Sequence, residues 1–86
     1  MDLEKVIIYP LMGEKATMLR EKENKLTFIV DKKSTKKDVK EAIEKKYKVE
    51  VLSTQIINGP DGKKKAHVKL SDKSSAEEIA SHFGIL

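Results

Sequence analysis

Apolar and polar residues alternate in three stretches of the chain, and each stretch predicts a β-strand. In residues 25–31 every second residue is Leu, Phe or Val, which is typical of a half-buried strand. Residues 49–57 form a second apolar stretch and predict another core strand. Residues 63–70 alternate Ala, Val and Leu with Lys and His, and the Gly- and Pro-containing segment 58–62 predicts the turn of a hairpin.

Three helices are predicted between and after these strands, because apolar residues there recur every three or four positions. Gly13 is the expected N-cap of the first helix. Thr35 and Asp38 form a capping pattern for the second, and Ser75 and Glu78 form one for the third. The apolar stripes are Met12, Ala16 and Leu19; Val39, Ala42, Ile43 and Tyr47; and Ala76, Ile79, Ala80 and Phe83, with Gly84 ending the last helix.

The order β-α-β-α-β-β-α indicates an α+β fold. A short strand at residues 6–9, stopped by Pro10, is expected at the edge of the sheet beside strand 25–31. Strands 25–31 and 49–57 are joined by a helix and should run parallel with a right-handed crossover. Strand 63–70 should lie between them and pair antiparallel with both, which gives a split β-α-β core. We therefore expect a small, largely antiparallel sheet flanked by about three helices.

Charge is distributed unevenly along the chain. Residues 1–86 are short enough for one domain, and their net charge is +4. Residues 32–69 alone carry twelve lysines against five acidic residues, a local sum of +7. Such an excess indicates a polyanionic partner, although an idle basic surface has equal weight on charge alone.

Several classes of protein are not supported. The chain has no cysteine, which excludes disulfides and thiolate metal sites. It has no apolar run near the ~20 residues of a membrane span, so we expect no direct membrane insertion. Its N-terminus lacks the basic and then apolar pattern of a signal peptide, which predicts an intracellular protein.

The sequence also predicts no enzyme, no metal site and no cofactor. His67 and His82 lack metal-ligand spacing, and nucleophile and phosphate-loop motifs are absent. The carboxylates are spread along solvated helix faces, unlike the pair that acid–base catalysis needs. We therefore expect no small-molecule substrate. His67 alternates with the apolar residues of its strand and so should face outward. It is interpreted as a surface residue or an RNA contact.

Lys32, Lys33, Lys36 and Lys37 place four cations within six residues at the predicted start of the second helix. A helix N-terminus carries partial positive charge and exposed N–H groups, so it favours anions and mildly disfavours lysine. Lysines that break this preference without internal compensation indicate phosphate binding. The alternative is a solvated turn with long, flexible side chains.

Lys63, Lys64 and Lys65 form a second cluster, where strand 63–70 begins. Lys63 and Lys65 share the outward parity of His67, whereas Lys64 faces the other way. Lysine often protects exposed edge strands, but this strand is predicted to be central, which weakens that explanation. Both lysine clusters are expected on one side of the fold.

The kind of nucleic acid follows from what the chain lacks. It has one arginine, Arg20, and only two tyrosines, two phenylalanines and no tryptophan. Base-edge reading in a duplex and an aromatic stacking platform are therefore both unsupported. What remains is recognition of the shape and phosphates of a structured RNA by lysine point charges.

Seven short motifs occur in an order that resembles the ribosomal protein L23 family of the large subunit. Each motif alone is weak, but seven in register over essentially the whole chain make the resemblance specific. A short turn at residues 58–62 and the lack of a basic N-terminal arm resemble the archaeal type. The motifs are Ile8–Ala16; Phe28 and Val30; Thr35 and Lys36; Ala42–Glu44; Tyr47, Val49 and Val51; Gly62–Leu70; and Ala76, Ile79, Ala80, Gly84 and Ile85.

This resemblance implies a structural constituent of the large ribosomal subunit in the cytoplasm. Members of the family bind large-subunit ribosomal RNA beside the polypeptide exit tunnel and lie next to other ribosomal proteins. They also dock factors that meet the emerging chain: signal recognition particle, translocon and nascent-chain chaperones. By resemblance Glu14 lies in the segment offered to these factors. The residues implied to face RNA are Lys15, Lys36, Lys63, Lys64 and Lys65.

Two positions depart from the family pattern. Gly13 stands where the family has Thr or Ser, so a side-chain cap is lost, although glycine is tolerated there. Gln55 keeps an amide where Asn is usual and is expected to contact RNA, but Ile56 removes a hydroxyl from the same strand. The alternative function is a protein-interaction module whose lysines serve solubility.

Overall fold

The computed structural model describes residues 2–82, and this part of the chain contains four strands, three α-helices and one short 3-10 helix. Phe83, Gly84 and Ile85, which the sequence patterns include, lie outside the described residues. The elements are the 3-10 helix Leu3–Lys5, β1 Ile7–Pro10, α1 Glu14–Glu23, β2 Lys25–Val30, α2 Lys36–Tyr47, β3 Val51–Asn58, β4 Lys64–Leu70 and α3 Ala76–Ser81.

The sheet has the strand order β1-β2-β4-β3, and every neighbouring pair is antiparallel. Strands β2 and β3 therefore run parallel to each other, with α2 between them in sequence and β4 between them in space. This confirms the predicted α+β fold with a split β-α-β core. It also confirms the short first strand at the edge beside β2.

The exposure of two strands differs from the prediction. All residues from Leu26 to Val30 are buried, so the prediction of a half-buried strand is wrong for β2. Only Val51 is buried in β3, so the prediction of a core strand is wrong there. The reason is position, because β2 lies between two neighbours whereas β3 pairs within residues 2–82 with β4 alone. A bulge between Val51 and Ser53 also interrupts the β3 pairing.

The core lies between one face of the sheet, which we call the inner face, and helices α2 and α3. Phe28 of β2 and Val68 of β4 are fully buried there, as are Val39 and Ile43 of α2 and Ala80 of α3. Full burial of each large apolar side chain stabilises the fold by about 1.5–3 kcal/mol. The opposite face of the sheet, the outer face, carries Lys65, His67 and Lys69 of β4.

Helix α2 begins at a capping box, as predicted. The Asp38 N–H donates to Thr35 Oγ1 at 3.2 Å, and the Thr35 N–H donates to Asp38 Oδ2 at 3.0 Å. The backbone hydrogen bond from Thr35 is the main reason why the pKa of Asp38 is lowered. Gly13 caps α1 without a side-chain bond, and Ser75 caps α3 by accepting the Glu78 N–H.

Asn24 joins three elements at the end of the sheet where β2 begins and β4 ends. Its backbone adopts the left-handed conformation that ends α1, at φ 54°, which Asn tolerates better than most residues. Its side-chain amide donates to the carbonyl oxygens of Ser71 and Ser74 at 3.2 and 2.8 Å, and Oδ1 accepts the Ala76 N–H at 2.7 Å. One side chain therefore holds the end of α1 against the start of α3.

Replacement of Asn24 by Ala should lower the free energy of unfolding by about 2–4 kcal/mol, through lost hydrogen bonds and a strained left-handed backbone. Asn24→Asp keeps the acceptor for Ala76 but places a carboxylate oxygen against the carbonyl oxygens of Ser71 and Ser74, so we expect a loss at least as large. Urea unfolding followed by circular dichroism measures both. An Ala variant within 0.5 kcal/mol of the wild type would contradict this role.

Candidate nucleic-acid interface

The two predicted lysine clusters meet at the end of the sheet opposite Asn24. Val30 pairs with Lys64, so the turn after β2 lies beside the start of β4. Lys64 Nζ donates to the carbonyl oxygen of Ser34 and to that of Lys32, the latter at 3.3 Å. A Cβ placed on Gly62, which has a φ of +79°, would lie 3.7 Å from Lys32 Nζ. We call this surface the lysine end, comprising Lys32, Lys33, Lys36, Lys37, Lys63 and Lys64.

The exposure of the lysine end is uneven. Lys32, Lys33, Lys36 and Lys37 are exposed, as is Lys63 in the β3–β4 turn. Their ammonium groups can therefore reach an external anion without rearrangement of the fold. The N–H groups at the start of α2 add partial positive charge at the same place.

Lys64 differs from its neighbours because the fold itself uses its ammonium group. Its side chain is half-buried on the inner side of β4, where it satisfies the two carbonyl oxygens of the turn after β2. This agrees with its predicted opposite parity. It also means that Lys64 couples the turn that precedes α2 to the β3–β4 hairpin.

Lys63 contacts an aromatic residue that sequence reasoning left without a role. Its Nζ donates to the hydroxyl of Tyr9 at 3.1 Å and lies 5.8 Å from the centre of the ring. The hydrogen bond to Tyr9 is the first cause of the raised pKa of Lys63. Tyr9 lies on β1, more than fifty residues away in sequence, so only the sheet order brings the two together.

The outer face of the sheet is crossed by rows of side chains at matching register. Thr27 pairs with His67, and His67 pairs with Gln55, which forms one row over three strands. On one side lies the row centred on Lys65, and on the other the row centred on Lys69. Gln55 is exposed, whereas Lys65 and Lys69 are half-buried. The outer face is thus a second basic surface, continuous with the lysine end through β4.

His67 is not the solvent-exposed residue that its outward parity suggested. It is only 7% exposed, and its Nδ1 lies 2.9 Å from the hydroxyl of Thr27, which is buried as well. Burial is the main cause that lowers the pKa of His67, followed by the nearby charges of Lys15, Lys65 and Lys25. The ring is therefore neutral at pH 7.

The remaining predicted residues lie at two further places. Lys15 and Glu14 are exposed in the first turn of α1, and the effect of Lys15 on His67 places it at the border of the outer face. Ile56 is half-buried on the inner side of β3 and packs against the core. Ile56 thus points away from Gln55, and its missing hydroxyl does not alter the outer face.

Residues 2–82 contain neither a cluster of metal ligands nor a membrane-spanning helix. No group of three or more His, Cys, Asp or Glu side chains there could hold a metal ion. Within the same residues, no helix has the length and apolar character that crossing a membrane requires.

Comparison with known proteins shows that the chain belongs to the class of ribosomal proteins. More narrowly, the chain belongs to the ribosomal protein L23 family, whose sequence profile matches residues 5–78. The large ribosomal subunit protein uL23 of Methanococcus aeolicus is 47% identical over 85 residues, and that of Methanococcus vannielii is 44% identical over 85 residues. Each alignment covers 99% of this chain and 99% of the relative.

Family membership confirms several predictions, made either from the residues or from the resemblance to this family. The chain is a protein of the large ribosomal subunit, similar to archaeal members, and works in the cytoplasmic ribosome. It is not an enzyme, because the family consists of structural ribosomal proteins. As a large-subunit protein it has ribosomal RNA and other ribosomal proteins as partners.

Lys64→Gln should lower the free energy of unfolding by about 1–2 kcal/mol, because two carbonyl oxygens lose a charged donor. Lys65→Gln is the matched control, since it removes the same charge from the next position of the same strand. We expect the control to stay within about 0.5 kcal/mol of the wild type in urea unfolding. Equal losses in both variants would show that charge alone, and not the Lys64 contacts, matters.

Proposed function

We propose that the chain binds large-subunit ribosomal RNA beside the exit of the polypeptide tunnel, through the lysine end and the adjoining outer face of the sheet. The observation that carries this proposal is the meeting of two lysine clusters, far apart in sequence, at one end of the fold. Like charges placed close together repel one another, so this arrangement does not stabilise the fold. A polyphosphate backbone would neutralise them all at once.

The lysines of the lysine end form no close ion pair within residues 2–82, and weaker charge effects link Lys37 with Asp38 and Lys63 with Asp61. Within residues 2–82, ion pairs join Arg20 to Glu77 and Lys25 to Glu23, and neither pair includes a residue of the lysine end. Lysine binds phosphate as a point charge and needs no fixed planar geometry. The surface is therefore suited to the backbone of a folded RNA, with shape and not base sequence deciding where it binds.

The residues proposed to contact RNA lie on both parts of this surface. The exposed lysines of the lysine end supply most of the charge, while Lys64 contributes chiefly by holding the two clusters together. Lys15 borders the outer face from the side of α1. The proposed contacts are Lys15, Lys32, Lys33, Lys36, Lys37, Gln55, Lys63, Lys64, Lys65 and His67.

Glu14 is proposed to take part in docking the signal recognition particle, the translocon or a nascent-chain chaperone. It is exposed in the first turn of α1, and Met18, one turn later on the same helix, is 47% exposed. An acidic residue beside an exposed apolar one offers a partner both charge and buried area. Glu14 lies outside the lysine end but next to Lys15, so the docking site adjoins the proposed RNA-binding surface.

A protein-interaction module with solubilising lysines remains the competing function. The apolar side chains exposed on β1, α1 and β3 favour it to some extent, since Ile8 and Leu52 are 57% and 58% exposed. The two functions differ in what the lysines do. Only the RNA-binding function requires affinity for RNA to depend on the lysine end.

The logarithm of the RNA association constant should fall linearly with the logarithm of salt concentration, with a slope of roughly −0.7 to −0.9 for each lysine–phosphate contact. The double change Lys36→Gln and Lys37→Gln should weaken binding and make that slope shallower by roughly 1.4–1.8. Filter binding of the purified protein to large-subunit RNA at several salt concentrations measures both quantities.

The matched control is the double change Lys45→Gln and Lys46→Gln, which removes the same charge from the same helix about 13 Å further along. Both control residues are exposed. The proposal requires a much smaller effect from the control. A wild-type slope near zero, or equal effects of the two double changes, would support the interaction module instead.

Glu14→Lys should not weaken RNA binding, and it should weaken the association of signal recognition particle with reconstituted large subunits by on the order of tenfold, because a favourable charge becomes repulsive. Glu21→Lys is the control, since it makes the same change at an exposed position near the other end of α1. Fluorescence titration of labelled particle measures the affinity. Unchanged affinity for the Glu14 variant would remove Glu14 from the docking site.

A further inference from the structure

The most informative unexplained feature is the uncharged row at the centre of the outer face. Thr27, His67 and Gln55 lie at one level on three adjacent strands. Lysine surrounds them, with Lys65 two residues before His67 on β4 and Lys69 two residues after it. These two lysines are therefore about 13 Å apart along the strand, with hydrogen-bonding but neutral side chains between them.

The Thr27–His67 contact is costly for a purely structural pair. Both side chains are buried in the face that carries the basic surface, where an apolar pair would fill the space without needing a hydrogen bond. Burial and three surrounding lysines keep the imidazole neutral, so one ring nitrogen accepts a hydrogen bond and the other donates one. In the tautomer in which the Thr27 hydroxyl donates to Nδ1, the free group is the donor Nε2–H; in the other tautomer Nδ1–H donates to Thr27 and Nε2 is a free acceptor.

The second ring nitrogen of His67 is not fully buried. Within residues 2–82 the buried side-chain nitrogen and oxygen atoms that lack a partner are Thr54 Oγ1 and Ser71 Oγ. His67 Nε2 is not one of them, and in this part of the chain the His67 side chain bonds to Thr27 alone, so Nε2 keeps some exposure. Beside it, Gln55 is exposed and offers an amide with both donors and an acceptor.

We infer that this row reads the ribose 2′-hydroxyls of an RNA backbone, with Gln55 and His67 as contacts and Thr27 as the residue that orients His67. The inference rests on the proposed RNA-binding function and specifies what its central part recognises. Lysine binds the phosphates of DNA and RNA alike, so it cannot distinguish them. A 2′-hydroxyl both donates and accepts, occurs only in RNA, and lies exposed in the shallow minor groove of an RNA helix.

The arrangement suits that groove better than unpaired bases. The row offers hydrogen-bonding groups close to the sheet surface but no Phe, Tyr or Trp ring, and its one aromatic ring, that of His67, is too buried for a base to stack on it. Lysines on both sides of the row are placed to hold phosphates while the neutral groups face the sugars between them.

The test compares RNA and DNA forms of one sequence. The RNA probe is the large-subunit fragment that the protein protects in a footprint, and the second probe carries 2′-deoxyribose at the protected positions. Thr27→Val removes the hydroxyl at nearly constant volume, and Thr27→Ser restores it. We expect Thr27→Val and Gln55→Ala each to weaken binding of the RNA probe on the order of three- to tenfold, without changing binding of the deoxy probe.

The deoxy probe separates the loss of an RNA contact from a folding defect, because a folding defect would weaken binding of both probes alike. Recovery of RNA binding in Thr27→Ser would show that the hydroxyl is the group that orients His67. Gln55 is exposed, so Gln55→Ala keeps the test decisive even where the Thr27→Val variant fails to fold. Equal losses on both probes, or no loss on either, would overturn the inference while leaving phosphate binding intact. Absence of salt-dependent binding by the wild-type protein would instead refute the proposed function itself.

Discussion

The pairing of β4 with both β2 and β3 is the constraint on which the rest of the structure depends. This strand follows β3 directly in sequence, yet it separates β3 from β2 in the sheet. Its register decides that Ala66, Val68 and Leu70 face the core while Lys65 and Lys69 face outward. A slip of one residue would exchange the two sets and place ammonium groups among apolar side chains, so the core holds the basic surface in place.

The two ends of the sheet differ in the contacts that their polar side chains make. At one end Asn24 uses its backbone and its amide to join α1, the β4–α3 loop and α3. At the other end the ammonium group of Lys64 donates hydrogen bonds to carbonyl oxygens of the neighbouring turn. Among the described residues, the other lysines of the lysine end make no such bond and crowd together as like charges. That crowding opposes folding of the free chain, and a bound polyanion would relieve it, so RNA bound as proposed should stabilise the native state.

Much of this architecture follows from the residue pattern. Alternation and capping residues predict the four strands, the three helices and the central place of β4, because these features depend on local spacing and short connections. Burial on the outer face cannot be predicted from this pattern. The alternation along a strand indicates which face of the sheet a side chain occupies, but not which neighbours cover it. His67 and Thr27 are buried for that reason, and β3 is exposed although its composition is that of a core strand. The contacts of Asn24, Lys64 and Tyr9 join residues at least thirty positions apart, which no local pattern reports.

The exposed position of β3 has a consequence for copies of the protein that have not yet been incorporated into a ribosome. Its outward edge presents main-chain N–H and C=O groups that no strand within residues 2–82 occupies, and Leu52 and Ile57 stand exposed along it. Such an edge is a template for sheet extension by another molecule, and the bulge near Val51 blunts only one of its ends. The β3 edge is therefore the part of the fold at which free copies would pair with one another.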